Sequence, residues 1–206
     1  MVENKLKYFL QLHLIVFIWG FTAILGALIS IDAVSLVWFR MLLAVIFVLI
    51  YFIIKKRRFS VDKKSLFKFI ITGVIIALHW IAFFEAIKVS NVSIALVTMS
   101  TGAFFTSLIE PLFFKRKIKT IEIVLGLLVI VGLYIIFNFE TEYSLGILYA
   151  LIASFLSALF SVLNGIFVKK TDAEVISFYQ LLFGVGFVTI FLFFTDSFSK
   201  LKIIYN

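Results

Sequence analysis

Seven apolar runs divide the chain, at residues 9–30, 34–54, 69–86, 92–114, 121–137, 145–168 and 175–194, with short polar stretches between them. Each is near the length of about 20 residues that a helix needs to cross a hydrocarbon core of roughly 30 Å. None alternates polar with apolar at period two, the pattern of a barrel strand. Lipid offers no partner to backbone N–H and C=O groups, so runs of this kind must be helical. The predicted fold class is an all-α membrane protein, a multi-pass bundle of about seven transmembrane helices. The formal charges inside the runs are Arg40, Glu85, Glu110 and Glu122, the last two near run ends.

Positive charge falls on alternate connections. Lys5, Lys7 and the loops at 55–68, 115–120 and 169–174 hold 15 of the 19 lysines and arginines. The intervening connections carry Asp32, Lys88, the acidic stretch 138–142 and a tail with Lys200 and Lys202. By the positive-inside rule the N-terminus and the three basic loops are cytoplasmic. The expected location is the cell (inner) membrane, with the lipid bilayer as the first partner. The net charge of +8 then reports topology, and no nucleic-acid partner is expected. A hydrophobic content of 64% exceeds the roughly 45–50% of soluble domains, so no single soluble core could hide it. There is no cysteine, which excludes disulfides and thiolate chemistry. The first run is too long for a signal-peptide core of about 7–15 residues, and a second span follows at once.

The second and seventh runs are alike. Residues 34–43 align with 174–183, an offset of 140, and Val45, Phe47 and Val48 recur as Val185, Phe187 and Val188. Trp38 and Phe39 meet Phe178 and Tyr179; Arg40 meets Gln180. Five spans carry the chain from one copy to the next, an odd number, so the second copy enters the membrane from the other side. Inverted repeats of this type are the plan of many secondary transporters, with the substrate site at the repeat interface near the midplane. The expected division is a five-helix repeat over 1–139 and, over 140–206, the first two helices of an incomplete second copy with a polar tail.

Several stretches, taken in order, resemble the EamA type of the drug/metabolite transporter superfamily. They are Trp19-Gly20-Phe21, Val37-Trp38-Phe39-Arg40, the hairpin 86–93, Glu110-Pro111, Gly126 with Gly132, 145–151, and Ser161-Val162-Leu163-Asn164. Lys115-Arg116-Lys117 stands where the family often has a Glu. The resemblance covers nearly the whole chain and implies carriage of small metabolites or drugs by alternating access, with substrate contacts from spans one, three, four and six. It implies no cofactor and no metal; a homodimer stays possible.

Polar groups inside spans are costly and mark candidate sites. The substrate-binding candidates are Trp19, Arg40, His79, Trp80, Glu85, Thr98, Ser100, Asn164, Tyr179 and Gln180. Arg40 and Glu85 lie near the outer ends of adjacent spans, and a pair between them would lower the cost of both; Lys88 is an alternative partner for Glu85 at i+3. His79 is deeply placed and titrates near neutrality when unperturbed, so it is either a proton carrier or a satisfied packing residue. Trp19 and Trp80 offer faces to a cationic or aromatic substrate. Tyr179 and Gln180 are expected to share a cavity. Ser154, Ser157, Ser161 and Asn164 lie on one helix face, as do Ser93, Ser100 and Ser107 at heptad spacing. Such faces serve helix packing as well as a pathway. Gly20, Ala23, Ala27 and Ser30 read as a packing face, and Glu110-Pro111 as a helix stop or a gating hinge.

Enzyme signatures are missing: there is no HExxH, no phosphate loop and no intramembrane carboxylate pair. A retinal-type receptor would need an outside N-terminus and a lysine in 175–194, which has none. The alternative to a transporter is a non-transporting membrane subunit or an inactive truncated product.

Overall fold

In a computed structural model, which describes residues 2–139 and 141–195, all regular structure described is helical. The elements are α1 (Val2–Leu28), α2 (Ala33–Lys55), α3 (Lys63–Val89), α4 (Val92–Met99), α5 (Gly102–Phe114), α6 (Thr120–Phe139), α7 (Ser144–Phe167) and α8 (Ala173–Phe194), with a 3-10 turn at Thr141–Tyr143. Together α4 and α5 fill the fourth apolar run, so seven helical segments match the seven runs. Six are long and apolar enough to cross a membrane. α6 has 20 residues and reaches about 30 Å at ~1.5 Å per residue. Glu140 of the acidic stretch and the tail with Lys200 and Lys202 lie outside the described residues.

Local signals set the helix ends. α3 starts well before its apolar run because the Asp62 carboxylate accepts from Lys64 N and Ser65 N, both at 3.0 Å. Asp32 caps α2 through Ser35 N at 3.0 Å and Ser35 Oγ at 2.6 Å. Asn91 caps α4 through Ile94 N at 2.9 Å. Pro111 does not stop its helix: α5 runs on to Phe114 and ends at Lys115 with φ 53°.

α3 is the central helix, packed on α7, α8 and α2. α4 and α5 lean on α7. α1 touches α3 and α4, α6 touches α5, and both leave most of their apolar side chains exposed. The packing face of α1 differs from the expected one. Ala23 and Gly26 are buried while Gly20, Ala27 and Ser30 are exposed, because the Phe84 ring fills the groove over Gly26.

Backbones approach most closely where α3 meets α8. A Cβ on Gly73 would collide with the carbonyl oxygen of Gln180, and one on Gly184 with the Met41 side chain. The two helices that align in sequence, α2 and α8, lie side by side and antiparallel. Trp38 Nε1 donates to Thr189 Oγ1 at 2.8 Å toward one end, and the Phe52 and Phe178 rings meet at 5.7 Å toward the other.

That second end carries the basic loops. There Arg57 approaches Asp172 at 3.9 Å and Glu174 at 4.0 Å. These are exposed pairs and hold little by themselves. The seal beneath them is aromatic: Phe59 sits 4.8 Å from Phe52 and 5.0 Å from Phe178.

Candidate functional site

The fourth span is interrupted near its middle. Ser100 N bonds Val97 O at 3.2 Å, Thr101 N bonds Thr98 O at 3.1 Å, and Ala103 N bonds Ser100 O at 3.3 Å. These i→i−3 bonds replace the α-helical pattern for about one turn. Hydroxyl side chains explain the change, since Ser and Thr compete for nearby carbonyls. Ser100 Oγ donates to Val97 O at 2.6 Å and Thr101 Oγ1 to Thr98 O at 2.7 Å. Gly102 follows, and its missing side chain lets Ser154 of α7 come close.

Ser154 pins the break to α7. Its Oγ lies 2.8 Å from Thr101 Oγ1 and donates to Met99 O at 3.2 Å. Ser154 and Thr101 are buried, and so is Thr98, whose Oγ1 has no hydrogen-bond partner. One residue back on α7, Ala153 O lies 2.7 Å from His79 Nδ1. The ring proton therefore belongs on Nδ1. The imidazole is flanked by Phe160 at 5.3 Å and Phe83 at 6.4 Å. His79, Ala153, Ser154, Thr101 and Thr98 make a polar layer across α3, α7 and the broken span, near the middle of each.

The other candidates scatter. Gln180 is buried and donates from Nε2 to Asn164 Oδ1 at 2.6 Å, joining α8 to α7 nearer the basic end. Tyr179 does not share its cavity: its OH donates to Phe59 O in the α2–α3 loop at 2.7 Å. Ser100 points off the bundle on the face opposite Thr98, with its hydroxyl spent on its own backbone. Trp19 is 66% exposed on α1 and lies apart from the polar layer. The Arg40 guanidinium lies over Trp80 at 5.4 Å and Phe84 at 4.9 Å rather than on Glu85. Nor does Lys88 pair with Glu85; its Nζ donates to Ile29 O at 2.8 Å. Among the described residues no ion pair joins Glu85 to either cation.

Glu110 faces the basic loop, as expected of an interfacial carboxylate. Arg116 spans it at 3.3 and 3.2 Å and also reaches Glu122 at 2.9 Å. Hydrogen bonds donated to Glu122 first and Glu110 second hold the guanidinium pKa above its already high value. The result staples α5 to α6 around the turn.

A cavity of about 300 Å³ opens at the basic end between Phe52, Arg57, Arg58, Asp172 and Val175, and a groove of about 390 Å³ lies beside it along α2 and α8, lined by Phe47, Tyr51 and Ser177. No expected site residue lines either. The polar layer is closed in this conformation. Thr101 and Ser154, outside the expected set, are its centre. The signal for Thr101 lies in the run Thr98, Ser100, Thr101, Gly102, and that for Ser154 in the face it shares with Ser157, Ser161 and Asn164.

The Gln180–Asn164 bond gives a direct measure of how α7 and α8 are joined. A double-mutant cycle with Gln180→Leu and Asn164→Leu is expected to show coupling between about 0.6 and about 1.7 kcal/mol, the average and the maximum found for hydrogen bonds between membrane helices. Thermal unfolding in detergent of the four proteins checks it, and additive effects would remove the bond from the account.

A multi-span helical bundle with a broken helix and a buried polar layer at mid-depth belongs to the polytopic membrane proteins, in the form common among transporters. Residues 6–138 match the EamA-like transporter family, and the chain belongs to that family. No curated protein and no solved structure matches it.

Proposed function

We propose that the chain acts as a secondary transporter of small metabolites or drugs, of the drug/metabolite transporter type, working by alternating access. The observation that carries this is the interrupted fourth span pinned by Ser154 at mid-depth. Transporters place substrate and coupling sites at such interruptions because freed backbone groups and buried hydroxyls converge there. The antiparallel pairing of α2 with α8 supports reading 1–139 as one repeat and 140–206 as the start of an inverted second. The basic end is cytoplasmic by the positive-inside rule, in a cell (inner) membrane. The Phe52–Phe59–Phe178 cluster then closes the cytoplasmic side in this conformation.

Two measurements test the reading. Ser60→Cys and Thr141→Cys, introduced into a chain with no native cysteine, should label from opposite faces of the membrane. Proteoliposomes loaded with a mixed metabolite extract should release a subset of solutes faster than protein-free vesicles. Equal release of every solute would overturn the transport assignment. Thr98→Val separates the two roles open to the unpartnered hydroxyl. The isosteric change should leave thermal stability unchanged or raise it slightly, since a buried orphan donor is removed. If the hydroxyl meets substrate, flux falls at least about tenfold while stability holds, the size of a lost hydrogen bond.

A further inference from the structure

We propose that Arg40, seated on the rings of Trp80 and Phe84, is an anion-binding site through which this protein selects solutes bearing a carboxylate or phosphate. The inference deepens the transport reading and rests on it. A guanidinium inside a span is expensive unless it finds a counter-charge or an aqueous cavity. Arg40 lies in the half of α2 away from the basic loops, about 10 Å along the helix from Ala33 at ~1.5 Å per residue. Its Nε is buried without a hydrogen-bond partner. No other hydrogen bond or ion pair engages it among the described residues. Its protein contacts are instead the two aromatic faces, at 5.4 and 4.9 Å.

Those faces fix the guanidinium without consuming its donors. Trp80 and Phe84 are one helical turn apart on α3, so their rings form one surface. Phe84 is 1% exposed and backed by Gly26 of α1, which leaves it no room to turn. Glu85, the carboxylate nearest in sequence, follows Phe84 by one residue and is rotated about 100° around α3. A cation–π contact satisfies charge in part and leaves N–H groups in the guanidinium plane. A planar fork with unspent donors, held in place beforehand, fits a carboxylate or phosphate bidentately. Lysine in the same position would give a point charge and no fork. The inverted copy has Gln180 at the aligned position, already bonded to Asn164, so the anion site is single.

The same chemistry could come from a soluble solute or from a lipid phosphate, and the experiment separates them. Trp80 is the reporter in a Trp19→Phe, Trp38→Phe background, purified in a maltoside detergent free of phosphate. Benzoate, inorganic phosphate, neutral benzamide and phosphatidylglycerol are titrated in turn. The expected result is a saturable change in Trp80 fluorescence with benzoate or phosphate and none with benzamide. Arg40→Gln should weaken that binding about tenfold or more, the size of a lost charge-assisted pair, and Arg40→Lys should fall between. A response to phosphatidylglycerol alone would make Arg40 a lipid anchor and overturn the proposal, as would a response unaltered in both variants or no response to any anion. Should Arg40→Gln fail to fold, Arg40→Lys keeps the charge and still reports the fork. Failure of this site is distinct from failure of transport. Release of neutral solutes without any anion response overturns the selectivity and leaves the transporter standing. Anion binding without flux of any solute overturns the transporter, and the selectivity with it.

Discussion

Gly73→Val is expected to prevent α3 from docking on α8 and to abolish a monodisperse bundle. The atoms that a Cβ would meet are backbone: the Gln180 carbonyl oxygen, then Gln180 C and Gly184 N, both at 3.2 Å. A flexible side chain can swing aside, but a helix backbone moves only as a whole. Shifting α8 would break its contacts with α2 and uncover Val188 and Leu192, both fully buried. Overpacking in a filled interior costs about 1–3 kcal/mol where neighbours can relax, and here they cannot. Even Gly73→Ala should therefore lose more than that range's lower end. Gly186→Ala is the control. It lies in α8, the helix on which α3 docks, with nothing within 4 Å of a Cβ there, so it should be neutral or mildly stabilising. Size-exclusion profiles and melting temperatures in detergent decide the matter. Equal behaviour of Gly73→Ala and Gly186→Ala would mean that α3 and α8 are not in backbone contact.

The spans were legible from the sequence because run length and loop charge act one residue at a time. What each span turns toward its neighbours was not. Arg40 and Glu85 have matching depth, yet depth says nothing of azimuth, and Trp80 and Phe84 hold the position facing Arg40. Tyr179 and Gln180 are adjacent and so point about 100° apart, one to the loop and one into the bundle. The serine heptad in the fourth span assumed an unbroken helix. The 3-10 step at Ser100–Thr101 shifts the register, and the buried face becomes that of Thr98 and Thr101. Similarly Ser154 and Asn164 bond across helices, whereas Ser161 on the predicted same face is exposed. Pattern reading identified the hydroxyl groups but could not rank them, because rank follows from which neighbour supplies a carbonyl.

Removing the Ser154 hydroxyl should loosen the break in the fourth span far more than removing any other serine of α7. Ser154→Ala strips Met99 O of its donor and Thr101 Oγ1 of a neighbour, in a setting without water to replace them. An orphaned buried carbonyl costs about 1–3 kcal/mol. Membrane measurements average lower, near 0.6 kcal/mol, because the alternative conformations also find partners. Leucine adds bulk to the loss. A Cβ on Gly102 would already stand 3.3 Å from Ser154 Oγ, so a larger side chain at 154 must push α5 off α7. Amide exchange at residues 100–103 is expected to quicken by roughly three- to tenfold in Ser154→Ala, following ~1.4 kcal/mol per factor of ten, and by more in Ser154→Leu. Ser161→Ala should change nothing there. The proposed transport depends on this break moving as one unit, so flux should fall in both Ser154 variants in the order of their exchange rates. If exchange at 100–103 were the same in Ser154→Ala and Ser161→Ala, α7 would not hold the break, and alternating access would need a hinge elsewhere in the bundle.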